Sequence, residues 1–124
     1  MSREPAFEDT NQELAETTAD CCRPADHDLT VHDIDVDVRT FSALANETRY
    51  ELLRYLAAAD SAVCACELVP AMDVNQSTTS RALTALHRAG LVDRRKEGRW
   101  RYYEPTQRAA RILTVMDADR SEPL

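Results

Sequence analysis

A chain of 124 residues with 22 Asp and Glu against 15 Lys and Arg has room for one domain and is acidic as a whole, net −7. No run approaches the roughly 18 apolar residues a membrane span needs, and the acidic N-terminus lacks the apolar region of a secretion signal, so a cytoplasmic protein is expected. Thiols stay reduced in that compartment. Four cysteines spaced Cys-Cys and Cys-x-Cys therefore read as ligands or sensors rather than as a disulfide framework.

Charge is unevenly placed. Residues 1–37 carry 11 acidic and 2 basic groups, whereas residues 81–108 carry 8 basic and 3 acidic, a local balance of +5. A nucleic acid responds to the local patch, so the overall acidity does not exclude one. Lys96 is the sole lysine, a bias that suits either high internal salt or a GC-rich genome. In high salt counterion release contributes less, and base-edge contacts would carry more of the affinity.

From Met1 to about Asp28 large apolar residues are scarce, and a mobile arm is expected, with at most a short helix near Glu8–Thr18. Cys21 and Cys22 sit in this arm with no core to enter, which favours a ligand role. His27 and His32 follow; each reads as a surface histidine, with a ligand role left open. Ile34, Val38, Phe41 and Ala45 then recur at helical spacing over Ile34–Ala45. Asn46 is placed to cap a second helix that buries Leu52, Leu53 and Leu56.

Cys64-Ala65-Cys66 leads into Glu67-Leu68-Val69. Side chains two apart inside a helix diverge, so a chelating pair belongs in the first turn. There the exposed amides also favour thiolate. If either cysteine merely fills the core, Cys66 is the one expected to do so. Asp73-Val74-Asn75 breaks the helix, and Gln76–Ala89 forms another, with Ala82, Leu83 and Leu86 inward and Gly90 at its C-terminal cap. Gln76, Ser77, Thr79, Ser80 and Arg81 are expected on its outer face. Small hydroxyls there permit close approach to a major groove, and Arg81 can reach phosphate or guanine.

Leu91–Lys96 and Arg99–Glu104 read as strands about a Glu97-Gly98 turn, Pro105 ending the hairpin. Alternation sets Trp100 and Tyr102 on one face and arginines largely on the other. Arg94, Arg95, Arg99 and Arg101 then suit phosphate or minor-groove contact. Thr106–Ala118 is a last helix whose stripe of Ala109, Ile112, Leu113 and Met116 is expected to meet a second subunit. Three parts are thus expected: an arm over 1–30 carrying Cys21-Cys22, a domain over 31–118 for DNA binding and dimerisation, and a tail over 119–124.

FSALANETRYELLRYL, VCACELVPAMDVNQSTTSRALTALHRAGLV and RRKEGRWRYYEP together resemble the ArsR/SmtB family of winged-helix repressors, from about Val38 to Ala118. The resemblance implies a mainly α fold with a small β-hairpin, a winged helix-turn-helix. It further implies a homodimer on double-stranded operator DNA, with no cofactor required for DNA binding. Release would follow when a metal or metalloid binds. It also implies a thiolate site at Cys64 and Cys66, completed by the arm cysteines Cys21 and Cys22. The family's Asp and His site on the last helix is not carried over, because TQRAARILTVMDA contains no histidine.

Adjacent arm cysteines favour arsenite or antimonite, which take three thiolates, over cadmium, lead or zinc, for which all four could serve. Two rivals remain: a thiol redox switch on the same scaffold, and a zinc-holding protein that does not repress. An enzyme is not expected, since the chain has no Gly-rich phosphate loop and no G-x-S-x-G elbow.

Overall fold

The computed structural model describes residues 22–121; the expected Glu8–Thr18 helix, Cys21 and residues 122–124 lie outside the described residues. The chain divides between Thr30 and Val31. Residues 22–30 form neither helix nor strand. Within them the Asp26 carboxylate accepts the His27 N–H at 2.8 Å, and His27 Nδ1 accepts the Leu29 N–H at 3.0 Å, so one ring nitrogen is already engaged by backbone.

The second unit runs α1 (Val31–Leu44), α2 (Glu47–Ala58), β1 (Val63–Cys64), α3 (Ala65–Ala71), α4 (Gln76–Arg88), β2 (Val92–Glu97), β3 (Trp100–Pro105) and α5 (Gln107–Ser121). The last helix thus continues three residues past Ala118 into the expected tail. Asn46 does cap α2: its backbone is extended, and its side-chain oxygen accepts the Arg49 N–H at 3.0 Å. Arg49 turns back to donate to the Ala43 and Ser42 carbonyls at 2.7 and 3.2 Å, satisfying acceptors at the end of α1. One residue thereby joins two helices.

Leu52, Leu53 and Leu56 of α2 meet Leu68, Leu83, Leu86, Leu91, Val92, Tyr103, Ala109 and Leu113 in a single core. Full burial of one such leucine contributes about 1.5–3 kcal/mol. The expected α1 stripe does not enter it. Ile34, Val38 and Phe41 are exposed, Phe41 at 67%, while Thr40 and Ala43 face inward. The α5 stripe is split: Ala109 and Leu113 are buried in this chain, and Met116 and Val115 stay outside. At the start of α5 the Thr106 hydroxyl donates to the Gly90 carbonyl at 2.9 Å and accepts the Ala109 N–H at 3.2 Å. Further along, Asp117 takes Arg54 of α2 and Arg120, at 2.9 and 2.6 Å. Arg54 holds the Asp117 carboxyl below its ordinary range, and Asp117 with Tyr50 raises the Arg54 guanidinium. Among the described residues no helix is long and apolar enough to cross a membrane.

The hairpin differs from expectation in two ways. Its turn is Gly98-Arg99, one residue later, with Glu97 opposite Trp100 and Gly98 at φ +62°. That positive φ at the first central position is where a two-residue hairpin turn calls for glycine. Moreover, β1 adds to its free edge, giving an antiparallel sheet in the order β1-β3-β2, with Val63 opposite Tyr103 and Cys64 opposite Tyr102. The aromatic that enters the core is Tyr103, not Trp100, because Val92 and Tyr103 share the face turned to the leucines.

Candidate nucleic-acid interface and thiol site

Asn75 starts α4 in an extended conformation, its side chain accepting the Thr78 N–H at 2.8 Å. Ala82, Leu83 and Leu86 anchor the inner face. Gln76, Ser77, Ser80 and Arg81 are exposed, as a groove-reading face requires. Thr79 is not. It is 1% exposed and its hydroxyl donates to the Asn75 carbonyl at 3.1 Å, so it is removed from the candidate DNA contacts. The reason is helical phase, since Thr79, Leu83 and Leu86 fall at i, i+4 and i+7 on the buried side. Two residues the sequence reading passed over extend the outer face. Thr84 and Arg88 line a shallow groove with Ser80, Arg81 and Ala85. Their signal was the spacing Ser77, Arg81, Thr84, Arg88, a single stripe at steps of four, three and four.

On the hairpin Arg94, Arg95, Lys96, Arg99 and Arg101 are all exposed. Arg95 is engaged within the hairpin: its guanidinium pairs with Glu97 at 2.7 Å and lies over the Tyr102 ring, 5.5 Å from the centroid. Arg99 lies over Trp100 at 5.6 Å.

Cys64 ends β1 and caps α3. Its backbone is extended, its Sγ accepts the Cys66 N–H at 3.3 Å, and its own N–H donates to the Glu67 carboxylate at 3.4 Å. The expected placement in the first turn holds. The expected order of burial does not: Cys64 is 4% exposed and Cys66 is exposed. Pairing of β1 with β3 draws Cys64 under the sheet, and the first turn of α3 swings Cys66 outward. Their Cα atoms are 5.2 Å apart and the two sulfurs are in contact. Pro70, within α3, has no N–H for the Cys66 carbonyl four residues back, so the helix is weakened at the exposed thiol.

The cysteine pair and the candidate DNA-contact elements share one cleft of about 240 Å³, with Cys64 and Cys66 on one wall, Gln76 and Ser80 of α4 on another, and Arg99, Trp100 and Arg101 on the third. Cys22 is exposed in the separate 22–30 segment. Among the described residues no group of three or more His, Cys, Asp or Glu side chains is gathered as a metal site. What the second unit itself supplies is two cysteines.

A short helix, a turn, a capped second helix with a polar outer face, and an arginine-bearing hairpin beside it define a winged helix-turn-helix module. Residues 46–94 match the model of the arsR family of bacterial regulatory proteins. Two Halobacterium salinarum proteins, each named a "putative arsenical resistance operon repressor", are 49% and 45% identical over 100 and 87 residues. The alignments cover 78% and 70% of this chain and 81% and 67% of theirs. The fold is also that of a homodimeric winged helix-turn-helix DNA-binding domain from Mycobacterium bovis, with a TM-score of 0.68, 29% identity, and 82% and 94% of the two chains covered. The chain belongs to the arsR family. It is a DNA-binding transcriptional regulator and not an enzyme.

Proposed function

We propose that the chain is a repressor that holds operator DNA as a homodimer and releases it when arsenite or antimonite binds its cysteine thiolates. The observation that carries this reading is the shared cleft, in which Cys64 and Cys66 stand against Gln76, Ser80, Arg99 and Arg101. Each thiol that binds replaces one hydroxyl of arsenous acid and releases one water, with no change of oxidation state. Cys64 and Cys66 supply two sulfurs, and Cys21 or Cys22 of the 1–30 arm supplies the third. With all four cysteines engaged the same site would suit cadmium, lead or zinc. The names of the arsenical-resistance relatives support the metalloid.

On DNA the α4 helices of two copies enter half-sites about 34 Å apart, so a small tilt of either one is costly. Gln76, Ser77, Ser80 and Arg81 read bases, and Arg94, Arg99 and Arg101 hold the backbone. The exposed Ile34, Val38, Phe41, Val115 and Met116 offer an apolar surface for the second copy within the 31–118 domain. A coupling of about 3 kcal/mol between the thiol site and DNA would lower operator affinity roughly a hundredfold.

The test is release of operator DNA, selected from a random pool by the reduced protein, on separate titration with arsenite, antimonite, cadmium and zinc. Release by arsenite or antimonite with three thiols masked from a thiol probe is expected. Cys64→Ser is expected to bind DNA normally and to resist release. If that variant still lets go with arsenite, Cys64 is not the sensor.

A second reading follows from the sulfur contact itself. A Cα separation of 5.2 Å lies within the range a disulfide spans. Peroxide would oxidise the two thiols to a disulfide and be reduced to two waters. Release by peroxide in metal-free buffer, without release by any of the ions, would make the chain a redox switch.

A further inference from the structure

The thiol site has two routes to DNA, and only one passes through the recognition helix α4. We infer that Trp100 is the positioning residue that carries occupancy of the Cys64–Cys66 pair to the wing; the inference rests on the inducer reading above.

Three observations converge on this side chain. First, Trp100 lines the cleft that Cys64 and Cys66 line, between Arg99 and Arg101, which line it too. Second, Trp100 opens β3 at the hairpin turn, opposite Glu97, and the same strand pairs with Cys64 two residues later at Tyr102. The backbone of the sensor residue and the indole are therefore anchored on one short strand, and relative movement between them has to be taken up at the turn. Third, the Arg99 guanidinium lies over the indole, 5.6 Å from its centroid, so a displaced ring takes a backbone-binding charge with it. At 49% exposure the indole is neither a core residue nor free in solvent. It is a half-covered plate with a thiol pair on one side of its cleft and an arginine stacked on it.

The physical sequence is short. A thiophilic ion held by Cys64 and Cys66 takes up volume in a cleft of about 240 Å³. The wall formed by α4 is anchored by Ala82, Leu83 and Leu86, whereas the tip of the hairpin is bounded by Gly98 and is exposed on both strands. The softer wall yields first. Arg99 and Arg101 then leave the positions that matched the DNA backbone, in addition to any tilt of α4.

Trp100 is the chain's single tryptophan, so its emission reports on this cleft alone. The experiment follows Trp100 emission and operator release together while arsenite is added to the full-length reduced protein. It then repeats release and arsenite stoichiometry with Trp100→Ala and Trp100→Phe. Emission is expected to change over the same arsenite range as release. Trp100→Ala is expected to bind the same amount of arsenite as the parent, and its release is compared with the parent's at equal starting occupancy of the operator. It should need at least about tenfold more arsenite for half-release, the lower part of the range for coupled sites. Trp100→Phe, which keeps a ring under Arg99, is expected to recover most of the response. If Trp100→Ala releases DNA at the parent's arsenite concentration, or if emission stays flat while the parent releases, the inference is overturned. Failure of the parent itself to release with arsenite would instead sink the inducer reading, and this inference with it. A Trp100→Ala protein that does not fold leaves the decision to the parent's emission and to Trp100→Phe.

Discussion

Helix α3 has seven residues, one buried side chain (Leu68), a thiol for a cap and a proline that removes the bond to the Cys66 carbonyl. Helix α4, four residues further on, has thirteen residues, an asparagine cap and Thr79, Ala82, Leu83 and Leu86 buried. Two turns of helix are marginal without tertiary support, whereas α4 obtains that support from the centre of the core. The pair therefore divides the work. The candidate DNA-reading element is held by packing along its length and keeps its shape, and the element that carries the cysteines is anchored through Leu68 and can adjust. A repressor released by a bound ion, as proposed for this chain, needs both properties, and here they sit side by side.

The comparison can be broken from the rigid side. Leu86→Ala removes a fully buried side chain from α4 and is expected to cost about 2–5 kcal/mol, read as a lower urea midpoint. A loss under about 1 kcal/mol would mean that α4 is not the anchored helix. Asn75→Ala is milder. It deletes the cap to Thr78 and should cost about 1 kcal/mol, with weaker operator binding because the reading residues Gln76 and Ser77 lie in the first turn. Melting and DNA titration, run side by side, check both parts. The smallest effect comes from the soft side. Pro70→Ala returns a donor to the Cys66 carbonyl and should stabilise the chain by about 1 kcal/mol. It should also raise the arsenite needed for half-release a few-fold. An unchanged response, with a slowly exchanging amide at residue 70, would show that the adjustability of α3 plays no part.

Much of this division was legible in the sequence, and the exceptions have physical causes. The cap at Asn46, the helix break at Asp73-Val74-Asn75, the inner face of α4 and the existence of the hairpin follow from local chemistry that neighbouring residues decide. Thr79 was also decidable. Its phase with Leu83 and Leu86 outranks its hydroxyl, and a polar type on a buried phase was assigned by type. β1 was not decidable, because two residues show no alternation and Val63–Cys64 becomes a strand only when β3 lies beside it. The reversed burial of Cys64 and Cys66 follows from the same pairing, so it was hidden for the same reason. The α1 stripe was legible as apolar, and its exposure was not, since periodicity names a face and not what covers it.

Cys64 performs three structural tasks: it ends a strand, it caps a helix, and it fills part of the core. The first two do not call for sulfur, whereas the third suits any small side chain of low polarity. Serine is among the best residues at a helix N-cap, and its oxygen accepts an amide more strongly than a thiol does. Selection for folding alone would thus tolerate several small side chains here, and a library screened only for solubility should vary at position 64. A library screened for regulated expression should hold position 64 fixed. Variation under the first screen and fixation under the second would mark the sulfur as kept for its chemistry.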